Sequence, residues 1–523
     1  MTDGLSILPF LPELVVLAAA LAIFLLDATG LVRRRVELFG ALAAGAALLA
    51  LVAVVADLGY APLAAVRTIP ADQVDVAAGP SQLYAFTSLG FVFQAIFLLA
   101  TFLVALASTS RPSGERGAAI FFGLLLTATL GTLLASEAAD LIFLLLAVEV
   151  TGVSTYLLVG YTRRERRGIE AAMKFYIVGA LSSALSFFGA SLLFGAFGST
   201  SFTVLAQGLG PAPYPALALA GYALLLAGLG FKLTLVPFHM WAVDVYDGAP
   251  TDVAAFLAGG TKKIGLIGLF LVFVGPVGLA TGRAVACAGG CTPVDYAPTL
   301  ALALGTVAVV TMTVGNVLAL LQREMKRMLA YSSISQAGYL LLGIAVGTAP
   351  ALAGATFQAL AHVFMKAGAF LVVAGVAGLG VGPLIDDWKG LGSRRPTLAV
   401  AFAIMLLSLA GIPLTVGFVS KFVLFSAAVA AQGLFVWLAV AGLLNSALSV
   451  FYYARVLKAM FLDPGDAGAR VPRDAPAAVG GLGYGRAAAI GVAVVAIVAL
   501  GIDPQPVLGP IQTAATHFLT VGV

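Results

Sequence analysis

Long apolar runs, each about long enough to cross a bilayer as a helix, recur along almost the whole sequence. We count fourteen of them, and each lasts about twenty residues, the length that a transmembrane helix needs. Only 10% of the residues are charged and 61% are hydrophobic, whereas a soluble domain carries about 25% charged residues. Barrel strands would instead alternate apolar and polar residues over about ten positions. The sequence therefore predicts an all-α polytopic membrane protein, and its formal charge of +4 does not suggest nucleic-acid binding.

These segments predict a single membrane domain over residues 1–523. They lie at 11–30, 38–58, 81–107, 117–135, 139–161, 171–197, 215–246, 253–278, 299–320, 328–347, 352–378, 397–429, 434–460 and 487–508. The seventh and twelfth are overlong and contain Pro237 and Pro413. We divide the domain into N-terminal helices 1–3 (1–116), two five-helix units (117–278 and 299–460), an inward Gly/Pro/Ala-rich loop (461–486), and the fourteenth helix with the C-terminus (487–523).

Lysines and arginines cluster in alternate connections between the segments. One set of connections holds Arg33, Arg34, Arg35, Arg111, Arg116, Arg163, Arg164, Arg166, Arg167, Arg323, Lys326, Arg327, Lys389, Arg394, Arg395, Arg470, Arg473 and Arg486. The opposite set holds Arg67 and Arg283. Because cytoplasmic loops are enriched in Lys and Arg, we expect the first set on the cytoplasmic side of a bacterial inner membrane and both termini outside. The acidic N-terminus lacks a basic region, so we interpret it as leading into a retained first helix.

Seven ionisable residues lie inside apolar segments, well away from the segment ends. They are Glu149, Lys232, Lys262, Lys263, His362, Lys366 and Lys421. A charge at the bilayer centre costs at least about 2.5–3.5 kcal/mol, so such residues indicate a functional path by default. The alternative is that they only pair to hold helices together. His362 can share a helix face with Lys366, whereas Lys263 points about 100° away from Lys262, which argues against a shared path.

The two internal prolines predict broken helices beside titratable lysines. Pro237 cannot donate to the carbonyl of Leu233, and Pro413 likewise frees the carbonyl of Leu409. Freed carbonyls at membrane depth need protein or water partners. Interrupted segments in matching positions of two halves indicate inverted repeats, here helices 4–8 and 9–13, with Lys232 and Lys421 as counterparts. Burial disfavours a charged lysine and a nearby carboxylate favours it, so Glu149 and Lys232 can act as a proton switch.

Six stretches carry a resemblance to a known family. They are PFHMWAVDVYDGAPTDVAAFLAGGTKKIG (237–265), LLAVEVTGVSTYLLVGY (145–161), EAAMKFYIVGALSSALSFFGASLLFG (170–195), REMKRMLAYSSISQAGYLLLG (323–343), AHVFMKAG (361–368) and LSLAGIPLTVGFVSKF (407–422). Together they resemble subunit N of respiratory complex I, the proton-translocating NADH-quinone oxidoreductase, whose mitochondrial counterpart is called subunit 2. The resemblance covers nearly the whole chain and implies an antiporter-like membrane-arm subunit that couples electron transfer to proton pumping.

The resemblance also implies roles for individual residues. The key carboxylate of the family's fifth helix matches Glu149, and the lysines of its seventh, eighth and twelfth helices match Lys232, Lys262 and Lys421. Lys366 and His362 sit where the family places polar residues of a central axis. Lys263 is an extra residue relative to the family pattern, Val243 stands where proline is usual, and Asp247 stands where glutamate is usual.

The resemblance implies no cofactor in this chain, with NADH, FMN, iron–sulfur clusters and quinone bound by partner subunits. The expected partners are other complex I membrane-arm subunits, including sister antiporter-like subunits, and membrane lipid. Three alternatives stay open: a related complex with another electron donor, a cation/proton antiporter subunit and a stand-alone carrier. A b-type cytochrome is disfavoured because, of three histidines, only His362 lies deep in the membrane. Cys287 and Cys291 lie in an outward loop that permits a disulfide without requiring one.

Overall fold

A computed structural model describes residues 8–30, 35–59, 83–111, 117–161, 165–206, 214–274, 297–464 and 482–521. Within these ranges the chain is helical, with isolated bridges and no longer strands. The main helices are Leu11–Ala28 (α1), Val36–Gly59 (α2), Ser88–Ser108 (α3), Ala118–Ser136 (α4), Leu141–Val159 (α5), Arg166–Phe197 (α6), Pro215–Leu233 (α7a), Met240–Gly248 (α7b), Thr251–Val274 (α8), Ala297–Leu321 (α9), Met325–Val346 (α10), Ala349–Gly378 (α11), Pro396–Ala410 (α12a), Val416–Ala430 (α12b), Leu434–Phe461 (α13), Tyr484–Ile502 (α14) and Gln505–Val521 (α15).

The fourteen apolar segments of the sequence correspond to α1–α14. Thirteen helices in the described ranges are long and apolar enough to cross a membrane, and α12a and α12b are shorter apolar helices that together make the remaining segment. The all-α prediction is confirmed. The sixth helix begins earlier than predicted, at Arg166, and it runs for 32 residues.

Both overlong segments are broken, as the prolines predicted. Helix α7a ends at Leu233, where Thr234 is left-handed (φ 67°) and the Leu235 amide donates to the Gly230 carbonyl over 2.8 Å. Helix α12a ends at Ala410, where Gly411 is left-handed (φ 89°) and the Ile412 amide donates to Leu407 over 3.0 Å. In each case a left-handed residue and a bond back to the last turn close the helix. The two halves therefore end their first half-helix with the same backbone arrangement. Their division into inverted repeats stays a prediction.

Three helices form the buried centre of the bundle. Residues 252–274 of α8 and 351–373 of α11 are buried throughout, and α10 is buried along nearly its whole length. Helices α6 and α13 instead expose large apolar side chains, such as Leu181 and Phe451. Such contiguous apolar exposure suits a lipid or subunit interface. Charged side chains carried by α8 and α11 are therefore enclosed by protein rather than by lipid.

The structure adds one helix that the sequence analysis missed. The predicted last segment, 487–508, ends at Ile502, because Asp503 and Pro504 interrupt it and a residue before proline disfavours helix. Helix α15 follows and packs against α3 and α11. Its buried residues recur every three or four positions, at Leu508, Ile511, Ala514, Ala515 and Phe518, which is the pattern of an amphipathic helix.

Several residues named in the sequence analysis lie outside the described ranges. These are Arg33, Arg34, Arg67, Arg116, Arg163, Arg164, Arg283, Arg470, Arg473, Cys287 and Cys291, together with most of the 461–486 loop. The disulfide question therefore stays open.

Candidate functional site

Lys232 lies in the last turn of α7a, next to the first helix break. Its side chain is buried, and Nζ donates to the Tyr156 hydroxyl of α5 over 3.4 Å. Nζ also lies 5.4 Å from the centroid of the Tyr156 ring, within the range of a cation–π contact. A small cavity beside Lys232 is lined by Lys262 as well. The two lysines thus face a shared space, whose other lining residues are Thr151, Thr155, Phe175, Trp241, Leu257, Thr261 and Ile264.

Glu149 does not form an ion pair with Lys232 among the described residues. Its carboxylate accepts a hydrogen bond from the Ser183 hydroxyl of α6. Glu149 is half-buried, and its neighbours Leu146 and Val150 on α5 are exposed. The carboxylate therefore lies toward the outside of the bundle, and Tyr156 is the residue that contacts Lys232. A simple structural ion pair between Glu149 and Lys232, one alternative left open by the sequence, is not the arrangement seen.

Lys262 and Lys366 reach adjacent serines of α10. Lys262 Nζ donates to the carbonyl and hydroxyl oxygens of Ser333, over 2.5 and 3.2 Å. Lys366 Nζ donates to the Leu329 carbonyl over 3.0 Å and to the Ser332 hydroxyl. Both lysines are buried. The first turns of α10 therefore connect a lysine of α8 with a lysine of α11.

Lys263 contacts a candidate site residue, His362, that Lys262 does not contact. Nζ lies 3.1 Å from His362 Nδ1 and donates to the carbonyls of Ala258 and Gly259 over 2.7 and 2.5 Å. The angular separation from Lys262 persists, since Lys262 points to α10 and Lys263 to α11. Both α10 and α11 present polar groups to these lysines. The angular separation therefore does not exclude Lys262 or Lys263 from a proton path.

Short π-helical turns lie beside these groups. They span Leu257–Thr261 in α8 and Val363–Ala367 in α11, and these two turns contact each other. A π-turn inserts one extra residue into a helix and is frequent at functional sites. The first turn contains the two carbonyls that accept from Lys263. The second turn contains Lys366 and begins one residue after His362.

Lys421 folds back onto the second helix break. From the second turn of α12b, Nζ donates to the Leu409 and Ala410 carbonyls over 2.9 and 3.1 Å and to the Ser446 hydroxyl over 2.9 Å. The Leu409 carbonyl is the one that Pro413 was predicted to free. That carbonyl therefore accepts from the titratable lysine itself, and Gln336 Nε2 of α10 also donates to it over 3.4 Å.

Two glutamines that were not predicted as site residues join the central groups to the second break. Gln358 Nε2 donates to Gln336 Oε1 over 2.7 Å, and Gln358 Oε1 accepts from the Ser420 hydroxyl. Both glutamines are fully buried. Gln358 lies four residues before His362, on the same helix face. An amide inside an apolar run, at that spacing from a histidine, is the signal that could have identified it.

The Arg-rich ends of the first and second halves are linked by ion pairs. Asp244 of α7b accepts from Lys174 of α6 over 2.8 Å and from Arg327 of α10 over 3.2 Å. Lys326 of α10 donates to the Asp247 and Ala249 carbonyls over 2.5 and 3.0 Å. The segment after the first break is thus held to both halves by charged contacts.

Comparison with known proteins identifies the family. The family model described as "NADH:quinone oxidoreductase/Mrp antiporter, TM" matches residues 138–449. The chain is 40% identical over 423 residues to F(420)H(2) dehydrogenase subunit N of Methanosarcina mazei, covering 79% of this chain and 80% of the relative. It is 36% identical over 478 residues to NADH-quinone oxidoreductase subunit N 2 of Sorangium cellulosum, covering 88% of this chain and 89% of the relative.

A solved structure supports the same assignment. The fold superimposes on a chain of respiratory complex I from Thermus thermophilus with a TM-score of 0.74 and 29% identity, covering 95% of this chain and 98% of that chain. The predicted resemblance is confirmed by sequence and by fold. The chain belongs to the NADH:quinone oxidoreductase/Mrp antiporter family of membrane subunits, and along most of its length it is similar to subunit N.

Proposed function

We propose that this chain is a proton-translocating, antiporter-like membrane-arm subunit of NADH-quinone oxidoreductase, a translocase of the EC 7.1.1 type. The observation that carries the proposal is a buried polar series through the centre of the bundle. It begins at Lys232, passes Lys262, Lys366 and the paired glutamines, and ends at Lys421. A polar series at membrane depth is costly and marks an ion or proton pathway.

The proposed catalytic residues are Glu149, Lys232, Lys262, His362, Lys366 and Lys421. Protons enter through the first half, where Lys232 and Glu149 act as the switch and Tyr156 lies against the lysine. They cross along Lys262, His362 and Lys366, and Lys421 governs exit through the second half. Each transfer moves a proton between a lysine or histidine nitrogen and a carboxylate, hydroxyl or second nitrogen, so no electron is transferred and no redox centre is needed in this chain.

The proposed partners are the other membrane-arm subunits, including sister antiporter-like subunits, and membrane lipid. Complex I is a multi-subunit membrane assembly, and its resemblance to this chain supports such a setting. NADH, FMN, iron–sulfur clusters and quinone would be bound by those partners. Arg35, Arg323, Arg327 and Arg486 lie at helix ends that we assign to the cytoplasmic face of a bacterial inner membrane, with both termini outside.

A second candidate is the same subunit in a complex with a different electron donor. The 40% identity to F(420)H(2) dehydrogenase subunit N favours it. The purified complex should be assayed for quinone reduction with NADH and with reduced deazaflavin. Turnover with NADH supports the leading proposal. Turnover with the deazaflavin alone would change the electron donor in the proposal and leave the proposed proton path as it is.

The test of the proton path is the Lys232→Ala variant in native membrane vesicles, with donor-driven quinone reduction and the proton gradient recorded together. We expect normal assembly and a fall of at least about tenfold in both, since proton transfer by a positioned group contributes about 10²–10⁴-fold. The control is Lys458→Ala, because Lys458 is exposed on the last turn of α13. Unchanged rates in an assembled Lys232→Ala complex would exclude the switch assignment.

A further inference from the structure

Two carboxyl groups are buried at helix ends opposite the Arg-rich ends, and the proposed proton path uses neither of them. Glu13 lies in the first turn of α1, and Glu137 directly follows the last residue of α4. Their exposed fractions are 5% and 1%. Within the described ranges, no lysine, arginine or histidine forms an ion pair with either group. A buried charge without a partner is costly, so this pair needs a physical explanation.

Glu13 has the donors that a charged carboxylate needs. The Tyr84 hydroxyl donates to Glu13 Oε1 over 2.5 Å, and Gln94 Nε2 of α3 donates to the same oxygen over 2.7 Å. The shorter of these distances is typical of a hydroxyl that donates to an ionised oxygen. We therefore place the negative charge of the pair on Glu13.

Glu137 has fewer donors and is more completely enclosed. Its Oε2 accepts from the Thr87 backbone amide over 2.8 Å, and the Thr87 hydroxyl faces the same carboxyl group. The group packs directly on Gly90 of α3, where an added Cβ would clash with it. Glu137 lies outside the span of α4, and burial raises its pKa well above the ordinary glutamate range, with the charge of Glu13 as a further cause.

Three oxygens of this cluster have no hydrogen-bond donor among the described residues, namely Glu137 Oε1, Gln94 Oε1 and Glu13 Oε2. Gln94 is fully buried and lies one turn from Gly90, on the helix face against which Glu137 packs. Amide carbonyls and carboxylates only accept, so the cluster lacks a hydrogen. One proton on Glu137 Oε1 supplies it, because the resulting hydroxyl can donate to either of the other two oxygens. A water molecule would also donate, but it would leave two negative charges together.

We propose that Glu13, Gln94 and Glu137 form a proton-binding site, in which one proton is held between two carboxyl groups. The site is separate from the series that runs from Lys232 to Lys421, and it does not depend on the proposed function. When the proton leaves, it passes to water as hydronium. Glu137 then becomes a second negative charge beside Glu13.

Release of this proton should loosen the contact between the segments that precede α3 and α5. The Ala85 amide donates to the Glu137 carbonyl over 2.8 Å, and the Ala139 amide donates to the Leu83 carbonyl over 3.1 Å. Repulsion between the two carboxylates acts across these backbone bonds. Because α5 carries Glu149, the site connects the pH on this side of the bundle to a helix of the proposed path.

Two other titratable groups lie at this end of the bundle, and both already have partners. Tyr84 donates its hydroxyl to Glu13. Asp140 accepts from the Thr200 hydroxyl over 2.7 Å and from the first amides of α5. The pH response of the site therefore comes from the pair of Glu13 and Glu137.

Hydrogen–deuterium exchange of the assembled complex tests the site, with mass spectrometry of peptides that cover 83–90 and 137–142. Each exchange rate is divided by the intrinsic rate at the same pH. The internal control is the bridge between 323–325 and 383–385, which has a similar pair of backbone bonds, each over 2.9 Å, and no fully buried carboxyl group. The measurement on the unmodified complex requires no variant.

We expect opening of the 83–90 and 137–142 segments to become more frequent as pH rises, because the closed site binds the proton more tightly than the open one. The effect begins above the ordinary glutamate pKa of about 4.3. One proton gives a rise of at most about tenfold per pH unit, and we expect at least about threefold per unit between pH of about 6 and about 8. Opening that is independent of pH, or that changes equally in the control bridge, would overturn the inference.

Glu137→Gln should abolish this pH dependence without opening the contact, because its side-chain amide donates as the protonated carboxyl group does. We expect the variant to keep full protection at every pH. Glu37→Gln is the matched control, since Glu37 is exposed on α2, and it should retain the pH dependence. Glu137→Gln with the pH dependence of the unmodified complex would also overturn the inference.

A bound metal cation is distinguished from a proton by repeating the exchange in sodium chloride and in choline chloride at equal ionic strength. We expect no difference, because a proton fills the site. Protection that sodium increases in the unmodified complex, but not in Glu137→Gln, would replace the proton by a sodium ion and overturn the inference. None of these measurements requires electron transfer, so failure of the proposed function would appear separately, as unchanged pumping in Lys232→Ala.

Discussion

Nζ of Lys263 lies 3.1 Å from Nδ1 of His362, so Lys263 contacts a proposed proton carrier. With the two carbonyls of Ala258 and Gly259, the imidazole completes three acceptors for the three ammonium hydrogens. When Lys263 is charged it donates to Nδ1, and the hydrogen of a neutral His362 then lies on Nε2, which has no partner among the described residues. The protonation state of Lys263 therefore influences which nitrogen of His362 carries the hydrogen.

Removing this lysine should impair proton transfer more than it impairs folding. In Lys263→Met, His362 Nδ1 and two buried carbonyls lose their donor, which costs about 1–3 kcal/mol for a buried unsatisfied group. We expect an assembled complex with a slightly lower melting temperature, several-fold slower pumping and an altered pH profile of turnover. Ile264→Met is the control, since it changes a neighbouring buried residue without removing a polar group. Matching pH profiles for the two variants would assign Lys263 a purely structural role.

Tyr156 allows a second test of the proposed proton switch at Lys232. Tyr156→Phe removes the hydroxyl that accepts from Lys232 over 3.4 Å and retains the ring beneath the ammonium. A hydrogen bond of this kind contributes about 1 kcal/mol, so turnover should fall about fivefold without loss of assembly. Tyr176→Phe is the control, because Tyr176 is exposed on α6 with its ring 6.0 Å from that of Tyr156. If both variants pump at the normal rate, Tyr156 is not part of the switch.

Much of the fold follows from the sequence alone, for a physical reason. A bilayer requires about twenty apolar residues per helix, and proline in a helix interior removes a helix hydrogen bond. Both signals are local, so α1–α14 and the breaks near Pro237 and Pro413 were predictable. The buried charged residues were equally visible, because an ammonium inside an apolar run has no ordinary structural explanation.

The contacts within the site were not predictable, because they depend on how helices pack. Glu149 and Lys232 were expected to act as a proton switch, but the sequence could not show that Tyr156, a residue type that fills any apolar core, contacts the lysine. Lys262 and Lys263 were not expected to share one path, and the sequence could not show that the helix face bearing Lys263 meets His362. Gln358 lies four residues before His362, but Gln336 carries no such signal until α10 and α11 bring it against Gln358.

The junction of the two half-helices of α12 should not tolerate a methyl group. A Cβ added at Gly417 would lie 1.8 Å from the Ser408 carbonyl oxygen, which is backbone and cannot swing aside. Gly417→Ala should therefore push α12b away from α12a and displace Lys421 from the carbonyls that it binds. Overpacking of this kind costs about 1–3 kcal/mol. We expect a lower melting temperature of the purified complex together with reduced pumping.

Gly491→Ala is the control for this substitution. A Cβ added at Gly491 of α14 meets nothing within 4 Å. Alanine is also favoured over glycine in a helix by about 1 kcal/mol, so the control should be neutral or stabilising. Normal melting and normal pumping in Gly417→Ala would show that the break can open without moving Lys421.

Asp244 should couple the two halves of the bundle in a salt-dependent way. Asp244→Asn keeps the side-chain shape but removes the charge that faces Lys174 and Arg327. Partly exposed ion pairs contribute about 0.2–1 kcal/mol each, so the variant should lose about 0.5–2 kcal/mol of stability at low ionic strength. Because salt screens exposed charges, the difference in melting temperature from the unmodified protein should shrink as salt rises from about 0.05 to 0.5 M.

The control for Asp244 is a surface ion pair between residues that are close in sequence and that does not connect separate helices. Asp386 accepts from Lys389, three residues away, over 2.7 Å, and this hydrogen bond holds the pKa of Asp386 below its ordinary value. The pair is therefore charged at neutral pH, but it bridges only one short turn. Asp386→Asn should leave the melting temperature and pumping unchanged at every salt concentration. Equal effects of Asp244→Asn and Asp386→Asn would show that the contact between α6, α7b and α10 contributes no more than an isolated surface pair, and that the halves are coupled through the buried centre instead.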